Sequence, residues 1–335
     1  IDAAVNGNNI TVGGGAVTIK SSVINTTVRG AGNAGRTKLA VTKSLSFEDS
    51  WIGGAGSTLG GVRPIDVATD GSWGEVAVVG GAEPIDGSMG LTKGGNRFFS
   101  FESLSLFNGQ QLSFENLGEN DQRVIARVTG GEPSVLDGTI NLGAKPIDLL
   151  LMNPFGFEVG PNAKFSRMGE LTLFAGNAIE FDGGSVVDLE TNLDLLPDSS
   201  PTGFISESRG DIQVIGATLG QTGSGLSIIG GSVDFRSGGS ALSGNGSDVS
   251  IDSAKLSLTG GSLIGTVSSG GQVGGMIQVR ADEVTLQGGN IRTVSAGGAG
   301  GAGGVRHPLR DPPPWGSPPA AKTHNDPDPR APARE

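Results

Sequence analysis

The chain contains no cysteine, and only two histidines occur in its 335 residues. Without cysteine there can be no disulfide framework, no thiolate-ligated zinc and no thiol nucleophile. Both histidines, His307 and His324, lie near the end of the chain, so everything before them lacks the commonest general base and metal ligand. No apolar run approaches the roughly 20 residues of a membrane span. Basic residues are outnumbered, 23 Lys and Arg against 34 Asp and Glu, for a net charge of −11. A surface that binds nucleic acid needs a basic footprint, so that partner is disfavoured, whereas an acidic balance suits solubility outside the cell. Amphipathic helices are missing too, because apolar residues never recur at i, i+3, i+4 and i+7 over three turns. Glycine-rich runs such as "AGGAGGAGG" lack the Lys-Ser/Thr of a phosphate loop, and "SGNGSD" (243–248) is not spaced as a calcium repeat, so no cofactor or metal is expected.

What the chain does have is glycine, 60 residues, with a hydrophobic share of only 36%. The apolar residues recur at period two in short runs bounded by glycine, which reads as strands joined by tight turns. The runs also repeat. "VSIDSAKLSLTGGSLIG" (249–265) lies over "IQVRADEVTLQGGNIRT" (277–293) without a gap, matching Val249 with Ile277, Ile251 with Val279, Leu256 with Val284, Leu258 with Leu286 and Leu263 with Ile291. "LTLFAGNAIEFDGGSVV" (171–187) has the same form with one insertion, "LAVTKSLSFEDSWIGG" (39–54) is a weaker copy, and "LSIIGGSV" (226–233) carries the second half.

One such unit is too small to enclose a core. Stacked on a neighbour it can, because each inward aliphatic then rests on its equivalent in the next unit, about 4.8 Å away. The expected fold is therefore all-β: a single-stranded, right-handed parallel β-helix with irregular capping strands. At about 25 residues per coil, residues 1–304 would make roughly 12 coils. A β-sandwich also has many short strands, but it needs no fixed-offset repetition of core positions.

Four stretches differ in character. Residues 1–64 read as strand-rich N-terminal coils or a cap. Residues 65–200 are irregular and hold most of the aromatic side chains, and 201–304 are the regular repeats. Residues 305–335 contain nine of the 17 prolines, too many for a sheet, and read as a disordered or polyproline-like tail, either a spacer or sequence foreign to the array. The first residue is Ile1, which reads as a processed N-terminus, and no signal peptide is visible.

The middle of the chain resembles a known family. "GGNRFFSFESLSLFNGQQLSFEN" (94–116), "RVTGGEPSVLDGTI" (127–140) and "LLLMNPFGFEVGPNAKF" (149–165) follow the order and spacing of the N-terminal secretion domain of filamentous-haemagglutinin-like exoproteins, the passengers of two-partner secretion. The family's Asn-Leu-Phe-His-Ser-Phe is here Asn96-Arg97-Phe98-Phe99-Ser100-Phe101, and its Asn-Pro-Asn-Gly is Asn153-Pro154-Phe155-Gly156. The resemblance implies an adhesin-like protein, secreted or held at the cell surface, exported through an outer-membrane transporter barrel with periplasmic recognition modules. It also implies a host or neighbouring-cell receptor or glycan as partner. It assigns transporter recognition, or a folding turn, to Asn96, Phe98, Ser100, Phe101, Asn153, Pro154, Gly156, Gly160 and Asn162. Pro154 at the second position of a turn, with Asn153 before it, also reads from its own chemistry as a coil corner.

Parallel β-helices also carry polysaccharide lyases and glycosidases, so a carbohydrate-active enzyme is the alternative. It would need paired carboxylates, for which Glu180 with Asp182, or Asp234 with a neighbour, are the candidates. Alternation with Ile179 and Phe181 marks Glu180 and Asp182 as a solvated face, and the set Phe98, Phe99, Phe101, Phe107 and Phe114 as core or cap before sugar platform. The expectation is a protein that is not an enzyme, with no catalytic residues.

Overall fold

The computed structural model describes residues 10–20, 23–25, 37–48, 51–53, 66–73, 84–143, 145–206, 209–220, 225–244, 247–269, 275–296 and 305–306. Among them there is no α-helix, and so none long and apolar enough to cross a membrane. Apart from two single turns of 3-10 helix, Gly87–Met89 and Leu193–Leu195, the regular structure is strand.

The strands stack in parallel. Asn96–Ser105, Arg123–Val128, Ile147–Met152, Met168–Phe174, Gly225–Arg236, Val249–Thr259, Ile277–Gln287 and Val305–Arg306 pair in that order along one ladder. A second ladder runs through Ser134–Leu136, Gly156–Val159 and Asp211–Ile215 into the second halves of the long strands. The third side is built by Gln111–Glu115, Thr139–Asn141 and Lys164–Ser166, and further along by Thr218–Leu219, Ser240–Gly244, Leu263–Ser269 and Asn290–Ala296. The result is a β-solenoid of about eight turns. That is fewer than the roughly 12 expected from length, because the described strands before Asn96 do not enter this ladder as parallel coils and the fourth turn sends out a long excursion between its first and second strands.

Its core is a set of aliphatic columns. Val124, Leu149, Leu171, Leu226, Val249 and Ile277 follow one another in register, as do Ala126, Leu151, Leu173, Ile228, Ile251 and Val279, and all are buried. Burying each larger side chain stabilises by roughly 1.5–3 kcal/mol. The repeat offset read from sequence holds for Val249 with Ile277, Ile251 with Val279, Leu256 with Val284 and Leu258 with Leu286. It slips by one after the Gly-Gly turn, where Leu263 faces Asn290 and Ile264 takes the place opposite Ile291. Residues 226–233 correspond to 249–256, the first half of the unit rather than the second.

Residues 171–187 are not one coil. Leu171 and Leu173 belong to the stack, but Ile179 and Phe181 lie in an antiparallel three-stranded excursion, Val186–Asp188, Ala178–Phe181 and Pro201–Ile205. Gly210 closes its neck, donating its N–H to the Ala175 carbonyl at 2.8 Å. The excursion lies over the outer face of the early coils, where Phe98, Ile125, Leu150, Met152, Phe174 and Ile229 join Trp73, Ile179, Phe181, Val187 and Leu196 in a second core. One outward column shows the consequence: Phe98, Ile125 and Leu150 are succeeded in register by Thr172, Ser227, Ser250 and Gln278.

At the other end of the ladder, Leu91–Lys93 and Asp66–Thr69 pair antiparallel with Asn96–Ser105, closing the edge that the first coil would otherwise offer to a foreign strand. Ile10–Lys20 pairs in parallel with Thr37–Glu48, and Val23–Asn25 with Trp51–Gly53. Val305–Arg306 joins the ladder, while the proline-rich stretch from 307 onward lies outside the described residues.

Leu258 and Leu286 are register partners on successive turns, yet Leu258 is 0% and Leu286 51% exposed. Leu258→Ala should cost about 2–5 kcal/mol and Leu286→Ala no more than about 0.5 kcal/mol. Guanidinium denaturation midpoints of the two variants would check this.

Candidate functional site: motif corners beneath the outer hairpin

The first motif splits by strand alternation. Phe99 and Phe101 point into the solenoid core, with Phe114 against Phe99 at 5.1 Å between ring centroids. Asn96, Phe98 and Ser100 belong to the opposite face, beneath the excursion. Asn96 donates from Nδ2 to the Ser199 carbonyl at 2.7 Å, and its Oδ1 accepts from Arg123 Nη1 at 3.0 Å. Phe98 meets Trp73 edge-on at 5.6 Å and Phe181 at 6.2 Å. Gly94 has φ +56°, and a Cβ there would lie 2.1 Å from the Asp198 carbonyl oxygen, so only glycine lets the excursion come this close. Phe107 is only half-buried. Arg97, where the family has leucine, turns to Asp121 in an ion pair at 2.8 Å.

Ser100 leads to a feature that sequence reasoning missed. Its hydroxyl donates to Asp70 Oδ2 at 2.7 Å and accepts from Arg127 Nε at 2.7 Å. Arg127 is almost fully buried, its guanidinium carbon 3.6 Å from the centroid of the Trp73 ring. Its Nη1 donates to the carbonyls of Asp188 (2.6 Å) and Thr191 (3.1 Å), and its Nη2 to Ser72 Oγ (2.6 Å). Trp73 Nε1 donates to the same Thr191 carbonyl at 2.8 Å. Thus one guanidinium ties the entry segment 70–73, the coil face and the excursion together. Burial lowers Arg127 to about 10, with Asp70 and Asp188 drawing it back up. Burial also pushes the Asp70 carboxyl up, but hydrogen bonds from Ser72, Thr129 and Ser100 outweigh it and hold it below its ordinary value. Asp188 is likewise lowered, its bonds from Thr191 and Glu190 exceeding the effect of burial. In sequence, "RVIARV" shows only an arginine on the outward face of a strand; nothing local says that the face is covered.

The third motif forms two corners. At the first, Gly156 N–H returns to the Asn153 carbonyl at 3.0 Å, and Asn153 Oδ1 accepts from Phe155 N at 2.9 Å. Asn153 is fully buried, and its Nδ2 reaches the preceding coil at Glu132 O (3.1 Å) and Ser134 Oγ (3.0 Å). Pro154 occupies the second turn position, and Phe155 is 47% exposed. Gly156 has φ +102°. The neck of the excursion rests directly on this corner, since a Cβ on Gly210 would lie 2.5 Å from the Pro154 carbonyl oxygen. At the second corner, Ala163 N–H bonds to Gly160 O at 3.0 Å. Asn162 donates from its backbone N to Asp137 Oδ1 at 2.8 Å. Asp137 lies in the "SVLDG" part of the second motif, and a Cβ on Gly160 would lie 2.3 Å from its Oδ1.

Two of the three motifs therefore converge on the excursion: the first under its sheet, and the Asn153 corner under its neck. The second supplies Arg127, Thr129 and Ser134 between them, while Gly160 and Asn162 lie away from it, at the far corner of the third coil.

None of the candidate carboxylates lines the described depression. Glu180 and Asp182 are exposed on the excursion, Glu180 lying over Gly203. Asp234 bonds Arg236 from its own strand, Nε to Oδ2 at 2.7 Å. Asp148 and Glu170 stack on successive coils, Glu170 N–H donating to Asp148 Oδ1 at 2.9 Å. Burial pushes both carboxyls up, Glu170 further because Asp148 is near. A shallow depression of about 460 Å³, lined by residues including Thr139, Pro161, Lys164, Phe165 and Thr218, contains no carboxylate. Among the described residues, no cluster of His, Asp and Glu could hold a metal ion.

Residues 66–305 match the family model described as the TPS secretion domain, a span that crosses the change of character at residue 200. No curated protein and no solved structure matches the chain.

Two outcomes follow for the Arg127 cluster. Arg127→Met should cost about 3 kcal/mol and open residues 183–200 to limited proteolysis before the stack is cut. Asp70 and Asp188 lie below their ordinary values when folded, so the stability they contribute is present above the ordinary carboxylate pKa and is lost as pH falls through the lowered values. Asp148 and Glu170 lie above theirs, so they favour the fold in acid and lose that contribution as pH rises through the raised values. Acidification below about pH 4 should therefore loosen the excursion before the coils. In a Trp51→Phe/Trp315→Phe background, Trp73 emission should shift before the far-ultraviolet β signal falls.

Proposed function

The chain belongs to the family of TPS secretion domains, and from that premise we propose that it is the export-directing part of an adhesin-like, non-enzymatic surface protein. Two-partner-secretion exoproteins leave the cell through an outer-membrane transporter, and the periplasmic modules of that transporter are the partner proposed for the motif residues. The observation that carries this reading is burial: Asn96, Phe98, Phe101 and Asn153 are all 0% exposed. A folded domain hides them, so a transporter that reads them does so before the chain folds. Once outside, the same side chains become the contacts that dock one coil, or the excursion, on another.

Ser100, Pro154, Gly156, Gly160 and Asn162 share this double role in the proposal, because each sits where a corner or an outer face meets a neighbour. Adhesion to a surface receptor or glycan is assigned to the outward faces of the uncovered coils, which are rich in Ser, Thr and Asp. The absence of a carboxylate from the lining of the described depression favours this over the carbohydrate-active alternative.

Co-expression with the partner transporter tests the proposal. Asn153→Ala/Pro154→Ala should reduce release into the medium several-fold, while the purified variant still refolds to the same protease-resistant core. Normal release would remove the recognition role. Loss of release together with loss of refolding would leave the corner a folding element alone.

A further inference from the structure

Among the described residues, the final full coil, Ile277–Gln287, leaves the second half of its strand uncovered. Ile277 and Val279 are buried, at 0% and 4% exposure, but Val284 and Leu286 on the same strand are 39% and 51% exposed. Their register partners one coil below, Leu256 and Leu258, are at 1% and 0%. Val305–Arg306 pairs with Ile277 and Gln278, and from 281 to 287 no described strand lies on the far side. The chain that follows is ill suited to cover it. Residues 297–304 are only Gly and Ala, and the stretch after 306 carries nine of the 17 prolines, too many to extend a parallel ladder.

The other end of the same chain carries the missing pattern. The repeats at 226, 249 and 277 place apolar residues at positions 0, 2, 7 and 9: Leu226, Ile228, Val233 and Phe235; Val249, Ile251, Leu256 and Leu258; Ile277, Val279, Val284 and Leu286. Ile10, Val12, Val17 and Ile19 have the same spacing, and Ile24 falls where Ile291 does, fourteen residues after the start of each unit. The backbone agrees. Ile10–Lys20 and Val23–Asn25 are already strands of a parallel stack, paired on one side with Thr37–Glu48 and Trp51–Gly53. Val17 faces Leu45 and Ile24 faces Ile52, so the segment has the period of a coil and the polarity of one. It precedes the matched secretion domain, which begins at residue 66.

We infer that the open edge of the last coil binds the N-terminal coils of a second copy of this chain, Val12–Lys20 lying over 279–287 with Val17 on Val284 and Ile19 on Leu286. The ladder then runs on from one copy into the N-terminal coils of the next with unchanged direction. Because the two surfaces are different, the contact is head-to-tail, and a ladder that keeps its direction from copy to copy yields short linear filaments rather than a closed ring.

Engineered cysteines test the register, since the chain has none of its own. Adjacent in-register residues lie about 4.8 Å apart, within disulfide reach. A Val17→Cys copy mixed with a Val284→Cys copy under oxidising conditions should give a linked species of twice the 33.6 kDa chain mass, and the double variant a ladder of linked oligomers. In cysteine-free protein, Val284→Lys/Leu286→Lys should abolish concentration-dependent sedimentation with an unchanged circular dichroism spectrum. The inference fails if the double variant links only within one chain, if Val17→Cys links to itself, if neither mixture links, or if the lysine variant assembles as before.

Discussion

Register between coils is the constraint on which the rest of this molecule depends. A parallel stack is held by what lies above and below each residue, so a side chain that faces inward must find an apolar partner on the next coil. The columns through Leu149, Leu171, Leu226 and Val249, and through Leu151, Leu173, Ile228 and Ile251, meet that demand without a polar interruption. The glycine content has the same origin. Corners of successive coils sit in van der Waals contact, and at Gly156, Gly160 and Gly210 a Cβ would strike the backbone or side chain of the neighbouring turn. A narrow core of stacked aliphatics and crowded corners explains how 36% hydrophobic residues suffice for a chain of this length.

The excursion from the fourth turn breaks the symmetry of the stack and creates a second kind of chemistry. On the later coils one outward column is polar, running Thr172, Ser227, Ser250 and Gln278. Beneath the excursion the same column is Phe98, Ile125 and Leu150, and polar residues there need partners because water is gone. Arg127 satisfies this without a direct carboxylate. The hydroxyls of Ser72 and Ser100 stand between it and Asp70, while backbone carbonyls of Asp188 and Thr191 take its remaining bonds. The excursion is therefore held by both apolar burial and a buried polar network whose members come from three separate segments.

This division sets what could be read from sequence. The solenoid was legible because its signal is periodic: alternation, Gly-Gly turns and a fixed offset all appear within one or two units. The Asn153 and Gly160 corners were legible as turns because Pro, Gly and Asn carry their conformational meaning locally. The excursion was not. "NAIEFDGGSVV" has the same alternation as a coil, and whether Ile179 and Phe181 pack inside the stack or against its outer face depends on Trp73, Phe98 and Ile125, which are distant in sequence. The slip after Gly260-Gly261 was also invisible, since a turn that drops one residue leaves the alternation on both sides intact. For the same reason Arg127 and Asp70 could not be nominated: their partners are defined only once the cover is in place.

The order of contacts along the chain gives the architecture a further consequence. Most ladder partners are one coil apart, so a chain emerging from its N-terminal side can add each coil to the edge left by the last, with little loop closure to offset. The antiparallel caps Asp66–Thr69 and Leu91–Lys93 close the first edge as soon as Asn96–Ser105 forms, which gives growth a single direction. The excursion is the exception. The fourth coil stays incomplete until Gly210 meets Ala175, and the outer faces of earlier coils stay uncovered until Val187 and Leu196 arrive. During that interval Phe98, Ile125, Leu150 and Met152 form an apolar surface that the finished domain lacks. Asn96, Phe98 and Ser100 lie under the excursion's sheet and the Asn153 corner under its neck, so the step at which the domain is most exposed is also the step at which these side chains gain their partners.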